Sequence, residues 1–251
     1  MVLIWYHSSV IGRSSAKRVV GASGEGPWLL GLDLLGDVKG RRVLDLAAGG
    51  GYFAKALLEH GAQPIGCDLL DQWQYPEIPF SKVDLDKPLP FEDASFDCVT
   101  IIEALNHVEA ASHVFREAYR ILRPGGVFVA TFPNCLCLES RLRFLVNGTY
   151  RWFPHPTFRG GRKEAYADFG RDPLRITTAI FQAQQAGFRF DRVAYGSSRL
   201  GLLAMAAALP LIGLTHAHNR LRRNKLKAVP AFAANLDAAM FRNVGVRAGK
   251  G

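Results

Sequence analysis

The sequence predicts an α/β protein built on a doubly wound, mostly parallel sheet. Three observations predict it. Short apolar runs alternate with amphipathic helical stretches through most of the chain. The first of these runs ends in a glycine turn, Val43-Leu44-Asp45-Leu46-Ala47-Ala48-Gly49-Gly50-Gly51, and a helical pattern follows at once. An acid, Asp68, closes the next apolar run. A strand, a glycine turn and a helix in that order bring a ligand against bare backbone N–H groups at a helix N-terminus. The unit therefore predicts a cofactor site.

The elements follow in order. Residues 42–47 read as a strand and 51–60 as a helix, with Phe53, Ala54, Leu57 and Leu58 on one face and Gly61 as a stop. Residues 63–68 read as the second strand and 79–84 as a short third. Leu89 to Asp93 forms a turn, and Phe96 to Ile102 is apolar enough to be buried on both faces. Ser112 is placed as the cap of a helix reaching about Leu122, with Val114, Phe115, Ala118 and Leu122 inward. Pro124-Gly125-Gly126 ends it, and Val127 to Phe132 is the next strand. Thr177 or Thr178 is the expected cap of a later helix that Gly187 stops, and Phe188 to Tyr195 is a further strand.

Residues 134–175 interrupt this rhythm. The segment is too long for an ordinary connection. It is rich in aromatics and arginines, among them Phe144, Tyr150, Arg151, Trp152, Phe153, Phe158 and Arg159, whereas a disordered linker has few aromatics. It reads as a lid or substrate-binding insertion. The domain organisation expected is a catalytic unit over 1–198, containing that insertion, and an apolar and basic helical tail over 199–251.

Bulk properties narrow the setting. The chain has 251 residues, 49% of them apolar, enough for one domain with a sizeable core. Cys67 and Cys98 lie inside apolar runs and read as buried thiols in a reducing compartment. Cys135 and Cys137 have no second pair at metal spacing, so no metal is expected. No signal peptide is recognisable at the start, and no run reaches the roughly 20 apolar residues of a membrane span. A cytoplasmic location is expected.

The net charge is +9 and unevenly placed. Residues 189–251 hold 11 Lys/Arg against Asp191 and Asp237, while the rest is balanced. Leu200 to Leu214 contains only apolar residues, glycines and Pro210, and a basic cluster from Arg220 to Lys227 follows. This pairing suits an interfacial contact of 199–227 with an anionic membrane surface. Alternatively the tail is a core helix with a solvated charged end. Nucleic acid is the less favoured partner, because the cluster lacks interleaved aromatics to stack bases.

Read literally, the glycine turn suits a dinucleotide as well. Asp45 argues against it, since a carboxylate before the turn repels a pyrophosphate and attracts a cationic ligand. Asp68, at the end of the second strand, can accept both hydrogens of a ribose diol. Two further runs complete the set: Leu89 to Val99 (LPFEDASFDCV) and Arg116 to Val129 (REAYRILRPGGVFV). Together with VLDLAAGGGYF and GCDL, in this order and spacing, they resemble the class I S-adenosylmethionine-dependent methyltransferases over about residues 40–133.

That resemblance implies a seven-stranded Rossmann-like methyltransferase sheet and S-adenosyl-L-methionine as cofactor. It places cofactor contacts at Asp45, Ala47, Ala48, Gly49, Gly51, Asp68, Leu69, Asp84, Leu85 and Glu103. Asp45 would serve the methionine end, Asp68 the ribose, and Asp84 and Leu85 the adenine. Family members usually have glycine where this chain has Ala47, which is tolerated if its φ is negative. Without the resemblance, the glycines could make a simple turn and the acids could be surface groups.

A base is needed only if the acceptor must lose a proton, and His107 and His155 are the candidates. The place after the fourth strand reads Ile102-Glu103-Ala104-Leu105, without the Asp/Asn-Pro-Pro-aromatic run of base-amine methyltransferases. The paired glutamates of arginine methyltransferases are not evident either. A small-molecule, glycan or lipid-linked acceptor is therefore expected, methylated on oxygen. Residues 132–134 and 140–150 resemble methyltransferases of surface-polysaccharide synthesis and their methionine-biosynthesis-like relatives. The alternatives are a nucleic-acid methyltransferase using the basic tail and a non-catalytic protein that keeps the fold.

Overall fold

A computed structural model describes residues 25–151, 153, 173–195 and 243–251. Helix α1 (Glu25–Leu35) leads into β1 (Arg42–Leu46), α2 (Tyr52–Glu59), β2 (Gln63–Asp68) and β3 (Phe80–Lys82). Then come β4 (Phe96–Ile102), α3 (Ala111–Ile121), β5 (Leu122–Pro133) and α4 (Leu138–Asn147). Helix α5 (Ile176–Gln185), β6 (Phe188–Tyr195) and β7 (Asn243–Lys250) complete the described elements.

The strands form one seven-stranded sheet in the order β3-β2-β1-β4-β5-β7-β6. Strands β1 to β5 are mutually parallel, and β7 runs antiparallel to both β5 and β6. The order reverses between β1 and β4, the switch point where open α/β sheets bind ligands at their strands' carboxyl ends. One apolar cluster packs α3 and α5 against the sheet through Phe115, Phe128, Ile121, Ala179 and Phe188. A second packs α1 and α2 through Leu34, Leu35, Phe53, Leu57 and Val129. Helices thus cover both faces, as the alternation predicts.

Eight residues near the end of the expected helical tail are not helical. Asn243 to Lys250 is a strand inserted between β5 and β6, so the sheet needs residues beyond the expected boundary at 198. Its pattern explains this: Val244, Val246 and Ala248 alternate and are buried. Gly245 lets α1 close on the strand, since a Cβ there would lie 2.5 Å from Leu34. Part of the basic excess is also used internally. Arg247 pairs with Asp191 at 3.0 Å, and Lys250 Nζ donates to the Tyr119 and Leu122 carbonyls at 2.8 Å each, capping the end of α3. The apolar and basic residues 199–227 lie outside the described residues.

Helix starts differ from the expected ones for a similar reason. Helix α3 begins at Ala111, with Ala110 as its N-cap and no cap from a side chain of its own. Asp86, in the loop after β3, holds the residues just before the helix, accepting the N–H groups of Glu109 (2.8 Å) and Ala110 (3.3 Å). Helix α5 starts at Ile176 after Arg175, again without a side-chain cap, so neither Thr177 nor Thr178 caps it. Strand β5 starts at Leu122 and takes Pro124-Gly125-Gly126 into its first residues.

The lead-in to β4 is tied to α3 by one side chain. Arg120 donates to Glu117 Oε1 (3.0 Å) and Oε2 (2.8 Å), Asp93 Oδ1 (2.6 Å), and the carbonyls of Leu89 (3.0 Å) and Phe91 (2.8 Å). Glu117 in turn accepts the Leu89 N–H at 2.7 Å. Among the described residues, no helix is long and apolar enough to cross a membrane.

Charge-assisted bonds are worth about 1.5–3 kcal/mol each when buried, and less for a partly exposed side chain. Replacing Arg120 by alanine is therefore expected to lower the unfolding free energy by about 2–3 kcal/mol, because it removes several such bonds together. Urea denaturation of both proteins measures the difference, and a loss below about 0.5 kcal/mol contradicts this role.

Candidate functional site

The carboxyl ends of β1, β2 and β4 bring the predicted residues to one end of the sheet. Asp45 lies in β1, paired in register with Thr100 of β4 and Gly66 of β2. It is 1% exposed. Its Oδ1 accepts the Thr100 hydroxyl at 2.9 Å, while Oδ2 is buried with no hydrogen-bond partner. Desolvation pushes its pKa up to about 7; the Thr100 hydrogen bond opposes this, and the nearby Asp68 charge adds to it. A buried carboxyl with one bare oxygen fits a cationic ligand.

The glycine loop follows. Ala48 N–H continues the ladder onto the Cys67 carbonyl at 2.9 Å, and Gly51 N–H closes back on the Ala48 carbonyl at 2.9 Å. Ala47 has φ +52°, so the condition under which alanine is tolerated there, a negative φ, is not met. An L-residue with a Cβ is strained in this region by roughly 1–2 kcal/mol, and family glycine at this place is thereby explained. Gly49 has φ +56° and open space where a side chain would stand. Helix α2 then begins after Gly51 with no side-chain cap, leaving its first N–H groups to face the loop's outer side.

Asp68 ends β2 and braces this loop. Its Oδ2 accepts the Gly49 N–H at 2.8 Å, and its Oδ1 accepts the Leu70 N–H at 2.9 Å. Each oxygen keeps a further acceptor site, so the carboxylate can still take a diol. Leu69 beside it is exposed. Asp84 sits in the turn after β3, accepting the Asp86 N–H at 3.1 Å and pairing with Lys87 at 3.3 Å. Leu85 is buried in the main core.

Glu103 stands just past β4 with φ +57°. Its backbone N–H donates to the Thr131 carbonyl at 2.9 Å, and Oε2 accepts Asn243 Nδ2 at 2.9 Å. The residue is half-buried as a whole, but Oε1 is enclosed and has no partner. Desolvation pushes its pKa up to about 7, against the hydrogen bonds from Thr131 and Asn243. His107 is half-buried in the following turn, its N–H on the Ala104 carbonyl at 2.9 Å. His155 lies outside the described residues. Cys135 and Cys137 are buried free thiols, and burial raises the Cys135 pKa to about 11. A cavity of about 300 Å³ lined by Arg42, Leu58, Gln63 and Ile78 opens at the opposite, amino end of the sheet.

Three residues of this end escape sequence reading. Thr100 is the partner of Asp45, and a lone hydroxyl in an otherwise apolar strand was its signal. Asn243 comes from the far end of the chain and carried none. Trp73 lies across the loop after β2, stacked on Phe80 at 4.9 Å, with its indole N–H on the Tyr75 (2.8 Å) and Ile78 (3.1 Å) carbonyls. A Cβ on Gly66 would lie 2.2 Å from its ring and one on Gly51 2.8 Å, so two glycines make room for it. The isolated Gly66 inside a strand was the available signal.

A parallel sheet reversing between β1 and β4, with a glycine loop at β1 and an acid closing β2, defines the fold of the S-adenosylmethionine-dependent methyltransferases. Residues 44–130 match a family described as "Methyltransferase domain". The chain is similar to a demethylmenaquinone methyltransferase of Beutenbergia cavernae, 39% identical over 110 residues, covering 41% of this chain and 45% of that protein. It is also similar to a ubiquinone biosynthesis O-methyltransferase of Paracidovorax citrulli, 36% identical over 118 residues, covering 42% and 50% respectively. The chain thus spans about half the length of the curated relatives it matches. A solved S-adenosylmethionine-dependent methyltransferase of Mesorhizobium loti shares the fold with a TM-score of 0.56 at 19% identity, over 92% of this chain and all of that one. Residues 44–130 thus carry a methyltransferase domain, on the fold that a solved S-adenosylmethionine-dependent methyltransferase shares.

Two predictions follow from the strain and the buried acids. Ala47→Gly removes the Cβ penalty but frees the unfolded chain, so a net stabilisation of about 0.5–1 kcal/mol is expected from thermal unfolding; a destabilised variant contradicts the left-handed backbone. Glu103 keeps its proton to a higher pH in the folded than in the unfolded state. The unfolded chain therefore binds fewer protons between about pH 4 and pH 7, and stability falls with rising pH in that window. The cofactor-free Glu103→Gln protein, which keeps an acceptor for Asn243, should gain stability relative to the parent as the pH rises from about 5 to about 8. A melting-temperature difference that stays flat over this range contradicts the buried, protonated acid.

Proposed function

We propose that this protein transfers a methyl group from S-adenosylmethionine to oxygen on a small-molecule, glycan or lipid-linked acceptor. The observation that carries the reading is the bare, buried Oδ2 of Asp45 beneath a glycine loop that Asp68 holds open. When bound, the cofactor supplies an activated methyl group on a cationic sulfur. The chain's own residues bind and orient. Asp45 offers negative charge to the cationic methionine end, and the N–H groups of the first turn of α2, which no side chain caps, meet the ligand's carboxylate. Asp68 receives the ribose hydroxyls on its remaining acceptor sites, while Leu69, Asp84 and Leu85 border the adenine.

Glu103 and the turn after it face the acceptor side. A hydroxyl acceptor must surrender its proton as its oxygen takes the methyl group, and we assign the role of base to His107, in the turn after Glu103. Since the leaving group is already activated, alignment supplies most of the acceleration. The named activities of the two curated relatives, on demethylmenaquinone and in ubiquinone biosynthesis, support a small, lipid-soluble acceptor. The protein acts in the cytoplasm, with residues 199–227 against an anionic membrane surface.

Asp68→Ala tests the cofactor site. Calorimetric titration with S-adenosylmethionine is expected to show at least a tenfold weaker affinity, since hydrogen bonds to a charged acceptor contribute about 1.5–3 kcal/mol each. Unchanged affinity contradicts the ribose assignment, and no binding to the parent protein overturns the reading. Transfer of labelled methyl to demethylmenaquinone, or to a lipid-linked glycan, then identifies the acceptor class.

A further inference from the structure

Helix α4 is inside out. In a helix packed on a soluble body, leucines face inward and hydroxyls outward. Here the fully buried position is Ser140, whose Oγ accepts the Arg151 N–H at 2.9 Å. Leu142 and Phe144 are about half exposed, and Leu145 and Val146 are 81% and 84% exposed. Gly148, with φ +71°, ends the helix on the Phe144 carbonyl at 2.8 Å, so its apolar end is a finished structure.

The apolar surface is also polarised over the molecule. Eight large apolar side chains are exposed among the described residues. Six of them, Leu69, Leu70, Leu142, Phe144, Leu145 and Val146, follow the carboxyl ends of the parallel strands β2 and β5. That is the end of the sheet where Asp45, Asp68 and Glu103 gather. The accompanying charge is cationic: residues 138–151 hold Arg141, Arg143 and Arg151 against Glu139 alone. Glu139 is paired with Arg151, and Arg143 stands on the exposed side of the helix.

We propose that α4 docks on an anionic lipid surface, with Leu142, Leu145 and Val146 entering the headgroup boundary and Arg143 meeting the phosphates. Exposed aliphatic residues beside cations are what interfacial binding requires, and neither alone suffices. Docking in this way turns the mouth of the cofactor site toward the bilayer. The use of that orientation, to receive a lipid-linked acceptor without drawing it through water, rests on the function proposed above; the docking itself does not.

The test is sedimentation of the full chain with vesicles, without cofactor or turnover. Parent protein should pellet with mixed phosphatidylcholine–phosphatidylglycerol vesicles and much less with phosphatidylcholine alone. The Leu145→Asp/Val146→Asp variant should lose at least about tenfold in partitioning while keeping its melting temperature. Arg143→Glu should lose binding to the mixed vesicles selectively. Equal pelleting of parent and double variant overturns the proposal. So does a lower melting temperature of the variant with unchanged pelleting, which means the chain's own residues cover the patch. A parent dimer that the double variant dissolves, with no vesicle binding, assigns the face to a second copy and overturns it equally.

Discussion

A carboxyl group sits in an inner strand of the sheet, β1, and the carboxyl end of the parallel strands is arranged round it. Asp45 has apolar neighbours in its own strand, Leu44 and Leu46, both fully buried. Burying such a group costs several kcal/mol unless it is paired or protonated. The structure supplies one hydroxyl, Thr100, at the register position directly opposite. Desolvation still pushes its pKa up to about 7, against this hydrogen bond, and one oxygen is left without a partner. A fully satisfied carboxylate would stabilise the empty protein more and bind a cation less. The strand order makes the compromise useful, because it reverses between β1 and β4, the place where open α/β sheets receive ligands.

The sequence runs that travel together are held together physically. The turn before β4 and the helix before β5 are separate in sequence but share Arg120 as a common donor. The loop after β3 fixes the entry to α3 through Asp86, and β7 caps its other end through Lys250. Helix α3 therefore depends on partners distant in sequence at both termini. This is why a local search for capping residues placed its start at Ser112, one residue inside the helix, and why the fold places the loops on either side of β4 so firmly.

The first half of the sheet and its loop were legible because short-range patterns determine them. Strands β1, β2 and β4 are bounded by turn residues, and α2 has an apolar stripe at helical spacing. Helix α1 was not legible. Its apolar residues Trp28, Leu29, Leu30, Leu32, Leu34 and Leu35 surround the axis with Pro27 and Gly31 among them, so no single stripe marks it. It is stable through contact with β4, β5 and β7. Strand β7 was hidden by its context, since a basic, apolar stretch before it suggested a tail. The pairing that reveals it, Val244 to Val246 between Phe132 and Tyr195, joins residues far apart in the chain. Ala47 was legible as an anomaly, but the sign of its φ is set by the loop's closure and not by its neighbours in sequence.

The local rules fail in a pattern. Three non-glycine residues take positive φ among those described, and two of them, Ala47 and Glu103, stand at the carboxyl ends of β1 and β4. Both buried acids of raised pKa, Asp45 and Glu103, lie at the same ends, each with an unpartnered oxygen. Strain or an unpaired carboxyl at a random place would be removed by a substitution that leaves the fold intact. Their convergence on the switch point places unmet costs of the empty protein at the carboxyl ends of β1 and β4. A ligand with a cationic end and hydrogen-bond donors would satisfy both oxygens, and binding would then draw free energy from relief of these costs as well as from new contacts. The site is therefore tuned by what it leaves unsatisfied, and a neutral ligand of the same shape would gain only the contacts.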